Sequence, residues 1–214
     1  PQLKNRVGQC VLTRPGSACY NGLDSPQKLA LSAGPRFFGD GWQMSKRLGK
    51  RRFWRVPVMD GEFVIEDSCG LTTEAVGGGN LLILGRDRAG LLETTEAAVA
   101  AIAKVPDVIT PFPGGIVRSG SKVGSKYKGA VASTNNAFCP TLKGTTKTEL
   151  DADTIAVLEI VIDGLTSKAV SDAMRVGLKA VTDIGAAKGV TRVSAGNYGG
   201  KLGQHHYHLK DYVA

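Results

Sequence analysis

The stretch TIAVLEIVID (residues 154–163) is a short apolar run, rich in Ile and Val and bounded by polar residues. That composition and length favour a buried β-strand over a helix. Because side chains alternate along a strand, Glu159 shares one face with Val157 and Val161. Both faces of the strand are apolar, so we expect the carboxyl group of Glu159 to be shielded from water. Such a group must take up a proton or find hydrogen-bond donors.

The segments around this strand predict the layout of the second part of the chain. From residue 80 onward their order is strand, helix, strand, strand, helix, strand. This is the split βαβ, or ferredoxin-like, order, in which two helices cover one face of an antiparallel sheet. The six elements are predicted at residues 80–84, 88–105, 115–118, 154–163, 167–185 and 191–195. Thr166 is predicted to cap the second helix, and a further strand is predicted at 206–209.

The first part of the chain is predicted to be rich in sheet. The tail of a helix comes first, and strand segments follow at residues 8–13, 36–39, 53–59 and 62–67. The pair Asp60-Gly61 is a tight-turn signal that joins the last two of these segments into a hairpin. The glycines at residues 77–79 mark a boundary with the second part. An opening strand and most of a helix are missing from this first pattern.

The excess of positive charge is confined to the first part of the chain. Residues 1–60 hold 11 Lys or Arg and 3 Asp or Glu, residues 61–214 hold 16 of each, and the net charge is +8. The excess centres on KRLGKRR (residues 46–52), which would attract an anionic ligand or nucleic acid. The alternative is a solvated hairpin or loop. We favour this alternative and expect no nucleic-acid partner, because no aromatic-plus-basic RNA-binding signature accompanies the patch.

Other features of the sequence point to a cytoplasmic protein. The sequence shows no apolar run of membrane-spanning length and no signal peptide, so we expect no membrane association. The cysteines Cys10, Cys19, Cys69 and Cys139 have no C-x-x-C spacing, which argues against a zinc or redox motif. We expect reduced, structural thiols, with an occasional disulfide or a reactive thiol as the alternative.

Three glycine-bearing polar stretches, at residues 111–126, 132–141 and 194–204, are candidates for ligand binding. None has the spacing of a Walker A or dinucleotide motif. Their small residues, hydroxyls, amides and lysines let the backbone approach a ligand closely and donate hydrogen bonds to it. The alternative is that they are ordinary loops. The candidate binding residues within them are Pro113, Gly114, Gly115, Ser121, Lys122, Ser125, Ser133, Thr134, Asn135, Gly196 and Asn197.

Two further groups of residues are open to more than one interpretation. His206 and His208 would point the same way on a strand, as a pair of metal ligands would, but we favour exposed edge-strand histidines and predict no metal site. Glu159 is either paired with Lys or Arg for structural reasons or a carrier of protons, since a desolvated carboxyl group suits proton exchange near neutral pH.

Several longer motifs occur along the chain in a fixed order. They are RVGQCVLT (6–13), FFGDG (37–41), PVMDGEFVIEDS (57–68), PFPGGIVRSGSKVGSK (111–126), STNNAFCPT (133–141), LEIVIDGL (158–165), AMRVGL (173–178) and SAGNYGGKLGQ (194–204). In residues and in order they resemble the formylmethanofuran:tetrahydromethanopterin formyltransferase family. The resemblance extends over most of the chain.

The resemblance implies an α+β fold of two ferredoxin-like lobes with antiparallel sheets and helices on one face. We expect a partial N-terminal lobe at residues 1–76 and a complete C-terminal lobe at 77–214. The first lobe is expected to be truncated at its N-terminus, because family chains carry a further segment before RVGQCVLT. The resemblance also implies a homo-oligomer, expected to be a tetramer, or association with other subunits of a formyltransferase/hydrolase complex.

The resemblance also implies a reaction, in which a formyl group moves from formylmethanofuran to a ring nitrogen of tetrahydromethanopterin. Methanofuran and tetrahydromethanopterin would be carrier substrates, with no bound cofactor. Glu159, in the EIVI[ND]G motif, is the implied acid and base of an acyl transfer through a tetrahedral intermediate. Composition alone places the oxyanion-stabilising groups in the glycine-bearing stretches. The alternative function is a truncated, non-catalytic ferredoxin-like subunit of a formyltransferase/hydrolase complex.

Overall fold

The structure, a computed structural model, describes residues 2–72, 74–196 and 203–213. The chain forms two compact units, of which the first ends at residue 73 and the second begins at residue 74. Both units contain sheets together with helical segments, so the predicted α+β class is confirmed. No helix in the described ranges has both the length and the apolar composition needed to cross a membrane.

A four-stranded sheet forms the centre of the first unit. The elements of this unit are α1 (Gln2–Arg6), β1 (Ala18–Cys19), β2 (Lys28–Leu29), β3 (Met44–Leu48), β4 (Arg51–Val58), β5 (Gly61–Glu66) and β6 (Cys69–Gly70). The sheet has the order β1-β5-β4-β3, and β2 pairs with β6 apart from it. Because β1 runs parallel to β5, this sheet is mixed, and the antiparallel sheet predicted for the first lobe is wrong. Val58 pairs with Gly61 across the β4–β5 turn, so the hairpin predicted at Asp60-Gly61 is confirmed. The core residues are Val7, Leu31, Val56, Phe63 and Ile65.

The basic run at residues 46–52 comprises the end of β3, the turn at residues 49–50 and the start of β4. Every residue of β3 is exposed, and β3 is the edge of its sheet. The hairpin at this run is therefore confirmed, and the absence of a nucleic-acid partner stays a prediction.

The strand predicted at residues 8–13 is wrong, because this segment continues α1 as the π-helix Val7–Val11. The N–H of Leu12 donates to the carbonyl of Val7, five residues earlier, as in a π-helical turn. Val7, Val11 and Leu12 pack on the core at helical spacing rather than alternating as in a strand.

The strand predicted at residues 36–39 is also wrong, because this segment lies in the 3₁₀-helix Pro35–Gly39. Proline is favoured at the first position of a helix, since its φ is already helical and it has no N–H to leave unpaired. Gly34, with a φ of 130°, turns the chain into this helix.

A second antiparallel sheet and two long helices form the second unit. Its elements are β7 (Val76–Gly85), α2 (Arg88–Ile102), β8 (Val108–Ile109), β9 (Lys122–Val123), β10 (Ala132–Ser133), β11 (Ala156–Gly164), α3 (Ser167–Ile184) and β12 (Val190–Ser194). The sheet has the order β12-β7-β11-β8, and every neighbouring pair is antiparallel. Strand, helix, strand, strand, helix, strand is the order predicted for this part of the chain, with β9 and β10 as an additional hairpin.

The second strand of that order differs from the prediction. The short strand β8 takes the edge position beside β11, where it pairs Ile109 with Asp163. The predicted strand at residues 115–118 is reduced to one isolated bridge between Val117 and Glu159. A glycine-containing turn separates the two pairing points, so the edge segment cannot pair with β11 continuously.

Side-chain caps set where both long helices begin. Thr166 Oγ1 accepts a hydrogen bond from the N–H of Ala169 at 3.1 Å, so the predicted cap of α3 is confirmed. At the start of α2, the carboxylate of Asp87 accepts from the N–H groups of Ala89 and Gly90. Each cap satisfies backbone donors that have no partner within their helix.

Strand β11 is covered on both faces, as predicted from its composition. On one face, Ile160 and Ile162 belong to the cluster that α2 and α3 cover. On the other face, Val157 packs against the cluster of Leu82, Leu84 and Leu150. Glu159 alternates with Ile160 and therefore lies on this second face, away from the helices.

The strand predicted at residues 206–209 is wrong. Residues 205–208 are irregular, and the 3₁₀-helix Leu209–Asp211 follows them. Aromatic side chains attach this segment to α3 in place of strand pairing. Tyr207 Oη donates to Ser167 Oγ at 3.0 Å, and Tyr212 Oη lies 3.1 Å from Ser171 Oγ.

Candidate active site

Glu159 is buried in the middle of β11, with only 6% of its surface exposed. Its backbone is paired on both sides, with Leu82 of β7 and with Val117 of the edge segment. The N–H of Val117 donates to the carbonyl of Glu159 at 2.7 Å, and the N–H of Glu159 donates back at 2.9 Å. The Cα position of the carboxylate residue is therefore fixed from two directions.

The side chain of Glu159 is held by an amide. Asn80 Nδ2 donates to Glu159 Oε1 at 2.8 Å, and Asn80 Oδ1 accepts from the N–H of Gly196 at 2.8 Å. Among the described residues, no Lys or Arg forms an ion pair with Glu159. The hydrogen-bonding partner that the buried carboxyl group requires is thus a neutral donor.

Asn80 is a site residue that the sequence patterns did not single out. It lies on β7 directly opposite Val161 of β11, and so on the same face of the sheet as Glu159. A signal was present, because Asn80 is a polar residue between the glycines at 77–79 and the apolar run at 81–84. Without the register of β7 against β11, this residue could equally be interpreted as the polar end of a strand.

The predicted binding residues Pro113, Gly114 and Gly115 form a 3₁₀-turn that leads into Val117, the neighbour of Glu159. Gly115 has a φ of 76°, and a Cβ atom added there would lie 2.6 Å from Val99 Cγ1. Only glycine fits this position, because both the backbone conformation and the contact with α2 exclude a side chain. The turn therefore packs tightly on α2 and delivers the edge segment to Glu159.

Six further predicted binding residues come together in the β9–β10 hairpin and its flank. Ser133 pairs with Lys122, and Ser133 Oγ donates to the carbonyl of Gly124 at 2.7 Å. Lys122 Nζ donates to the side chain of Asn136. The others are Ser121, Ser125, Thr134 and Asn135, and a Cβ atom on Gly120 would lie 3.7 Å from the Asn135 Cβ. Among the described residues, no hydrogen bond joins Lys122 or Ser133 to the side chain of Glu159.

The third predicted stretch reaches the site through Gly196, whose N–H holds Asn80. Asn197, the other predicted residue of this stretch, lies outside the described residues. Gly196 is thus connected with Glu159 through the side chain of Asn80. The sequence patterns did not predict this connection.

Metal-ligating and thiol side chains are spread over the molecule. Within the described part of the chain, no three His, Cys, Asp or Glu side chains are close enough to hold a metal ion. His206 and His208 have ring centres 6.4 Å apart at an angle of 80°, in a segment that is not a strand. All four cysteines are free thiols.

Together these features define a candidate active site of an α+β protein, in which a buried carboxyl group is held by one amide beside a glycine-rich turn. A family model described as "FTR, proximal lobe" matches residues 61–212, and one described as "Formylmethanofuran-tetrahydromethanopterin formyltransferase" matches residues 1–58. The chain belongs to the formylmethanofuran–tetrahydromethanopterin formyltransferase family.

Individual relatives agree with this assignment. A subunit of the formyltransferase/hydrolase complex of Methylorubrum extorquens is 58% identical over 215 residues, which cover 98% of this chain and 69% of that protein. The formylmethanofuran–tetrahydromethanopterin formyltransferase of Methylococcus capsulatus is 54% identical over 213 residues, which cover 100% of this chain and 71% of that protein. A crystal structure of the formyltransferase/hydrolase complex from Methylorubrum extorquens with methylofuran includes a similar chain. Its TM-score is 0.84 and its identity 57%, over 100% of this chain and 71% of that chain.

Proposed function

We propose that this chain transfers a formyl group between formylmethanofuran and tetrahydromethanopterin, with Glu159 as general acid and base. The observation that carries the role of Glu159 is its environment. The carboxyl group is buried, it has one amide donor among the described residues, and it lies on the sheet face away from the helices. A carboxyl group in such a place can take up and release a proton without breaking an ion pair.

The proposed reaction is an acyl transfer between two nitrogen atoms. The attacking nitrogen adds to the formyl carbon and gives its proton to the carboxylate of Glu159. The tetrahedral intermediate then breaks the other carbon–nitrogen bond, and the same carboxyl group returns the proton to the leaving nitrogen. One group can perform both transfers if it lies within hydrogen-bond reach of both nitrogens. Both carriers act as substrates in this scheme.

The three glycine-bearing stretches are the proposed binding surface for the two carriers. The turn containing Pro113, Gly114 and Gly115 lies nearest to Glu159 along the edge segment. Pro113 has no N–H and the N–H of Gly115 donates to the carbonyl of Phe112, so the N–H of Gly114 is the candidate donor to the oxyanion in this turn. Gly196 and the β9–β10 hairpin, with Lys122 and Ser133, would contact the remaining parts of the carriers. Asn197 belongs to the same proposal on sequence grounds alone.

The larger organisation of the protein is also a proposal. Two ferredoxin-like lobes, at residues 1–76 and 77–214, are supported by the strand order of the second unit. A tetramer or another homo-oligomer, a cytoplasmic location, and association with other subunits are consistent with the family. Association is supported by the relative of 58% identity that is named as a subunit of a formyltransferase/hydrolase complex.

Replacement of Glu159 by Gln tests the proposed role directly, because the amide keeps the shape but cannot carry the proton. We expect kcat to fall by about 10²–10⁴-fold with little change in KM for either carrier. The formation of formyltetrahydromethanopterin from formylmethanofuran is the measurement. Glu149→Gln, at an exposed carboxylate on the preceding segment, is the matched control and should retain the parent rate.

Two outcomes decide between the proposals. If Glu159→Gln transfers formyl as fast as the parent chain, Glu159 is not the acid and base. If the purified parent chain itself transfers no formyl group, the non-catalytic subunit becomes the better description.

A further inference from the structure

The amide of Asn80 can have only one orientation between its two neighbours. Gly196 offers a backbone N–H, which is a donor, so the Asn80 atom that faces it must be the acceptor Oδ1. The Nδ2 group is thereby directed at Glu159 Oε1, 2.8 Å away. A flipped amide would place two donors against each other at Gly196 and would present an acceptor to a carboxylate.

This orientation distinguishes the two oxygen atoms of Glu159. The Nδ2–H group of Asn80 donates to Oε1 when the carboxyl group is ionised. It can donate there equally when the group is neutral, provided that the proton lies on Oε2. A proton on Oε1 would point at a donor and lose the hydrogen bond, at a cost that burial makes larger.

We infer that Asn80 is a positioning residue for the formyl transfer, and that it makes Oε2 of Glu159 the oxygen that exchanges protons. This inference rests on the function proposed above. The proton leaves the attacking nitrogen for Oε2 as the new carbon–nitrogen bond forms. It leaves Oε2 for the departing nitrogen as the old bond breaks, and the carboxylate is regenerated. Oε1 keeps its hydrogen bond from Asn80 Nδ2 in both steps.

The side chain of Asn80 also links Glu159 to Gly196, and so to the third glycine-bearing stretch. The N–H of Gly196 is what holds the Asn80 amide in its donating orientation, so the position of this backbone group affects the carboxyl group through two hydrogen bonds. The three residues lie on three different segments of the chain and meet only through the fold.

Two substitutions of Asn80 separate positioning from a merely structural role. Asn80→Asp keeps the shape and the acceptor for Gly196 but places a second carboxylate against Oε1, and two carboxylates in contact cannot both ionise easily. We expect the acid limb of the kcat/KM profile to move to higher pH by about one unit or more, with a fall in kcat. Asn80→Ala removes the donor, and we expect kcat to fall about 10–100-fold with KM nearly unchanged.

Controls keep the test decisive. Asn5→Asp, at an exposed position of α1, adds the same charge and should leave the pH profile unmoved. Thermal unfolding of each variant shows whether it folds. If Asn80→Asp does not fold, Asn80→Ser replaces it, because a hydroxyl can still accept from Gly196, and a fall in kcat at constant KM supports positioning.

The inference is overturned if the folded Asn80 variants lose stability but show the parent pH profile and the parent kcat. Its failure is distinct from that of the proposed function. If Glu159→Gln is active, the acid–base role of Glu159 is disproved. If Glu159→Gln is inactive but the Asn80 variants keep the parent pH profile and the parent kcat, only the positioning role of Asn80 is disproved.

Discussion

Two buried carboxyl groups of this chain are satisfied in different ways. Glu66 accepts hydrogen bonds from Arg51 Nε at 2.9 Å, from Arg51 Nη2 at 2.6 Å and from the N–H of Asn21 at 2.8 Å. The Arg51 side chain foremost, with Asn21, holds the pKa of Glu66 below its ordinary value. Glu66 is therefore a fixed anion with a structural role, whereas the described donor to the Glu159 side chain is a neutral amide.

A third carboxyl group, that of Asp163, is partly buried near the end of β11. Burial raises its pKa, and a hydrogen bond from the N–H of Gly78 opposes this rise by a smaller amount. The folded chain thus holds the Asp163 proton more tightly than the unfolded chain does. The contribution of Asp163 to the free energy of unfolding therefore decreases as the pH rises through this raised pKa. Above it, Asp163 is ionised in the folded chain, and the whole cost of burying the charged carboxylate lowers the free energy of unfolding.

Replacement of Asp163 by Asn should remove this penalty, because the amide stays neutral and its oxygen can still accept from Gly78. We expect a small gain in the free energy of unfolding at pH 7 to 8, and a still smaller gain at pH 4, since solvent screening weakens the burial effect at a partly exposed group. Urea unfolding at both pH values is the measurement. Asp153→Asn, at an exposed carboxylate, is the control, and a gain for Asp163→Asn that is equal at both pH values would contradict the explanation.

At the scale of elements, the edge of the second sheet is interrupted where the site is built. The strand β8 pairs with the end of β11, the turn Pro113–Gly115 leaves the sheet, and Val117 returns to pair with Glu159. A continuous edge strand would cover this stretch of β11 with regular pairing. The interruption places a glycine-rich backbone beside the carboxylate strand instead.

The two glycines of this turn should differ in their sensitivity to substitution. Gly114 and Gly115 both have positive φ, which costs a side chain about 1–2 kcal/mol, but only Gly115 lies against the branched side chain of Val99. We expect Gly114→Ala to lower the free energy of unfolding by about 1 kcal/mol and Gly115→Ala by about 2–4 kcal/mol. Equal losses in chemical denaturation would show that the contact with α2 is unimportant.

At the scale of the whole molecule, each unit has its own core. The cluster of the first unit contains five buried residues, and the main cluster of the second contains eleven. The second unit also carries both long helices, whereas the longest α-helix described in the first has five residues. Because burial of apolar surface is the main stabilising term, we expect the first unit to be the less stable one.

The positions of the tryptophans make this difference measurable. Both Trp42 and Trp54 lie in the first unit, so Trp fluorescence follows that unit, while far-UV circular dichroism follows mainly α2 and α3 of the second. We expect the fluorescence transition at a lower denaturant concentration than the helical transition. Ile65→Ala should shift mainly the former and Ile83→Ala mainly the latter, each by about 2–5 kcal/mol. Coincident transitions that move together in both variants would indicate one cooperative unit.

Local patterns predicted those elements whose side chains repeat over many residues. The apolar run of β11, the Thr166 cap of α3 and the Asp60-Gly61 turn depend on neighbouring residues, and all three are confirmed. The predictions at residues 8–13, 36–39 and 206–209 were wrong because runs this short do not distinguish a strand from a helical or irregular segment. Val7 and Tyr207 pack on the cores of their units in these other conformations.

The sequence by itself determined that Glu159 lies within an apolar strand and that this strand belongs to a βαββαβ order. It also carried the family resemblance. Only the tertiary structure decided which groups surround the carboxylate. Asn80 and Glu159 are 79 residues apart along the chain, and Gly196 is 116 residues from Asn80. Contacts over such separations depend on the register between strands, and a shift of one residue would turn Asn80 to the opposite face of the sheet. That register is set by packing on both faces of the sheet, which no local pattern in the sequence records.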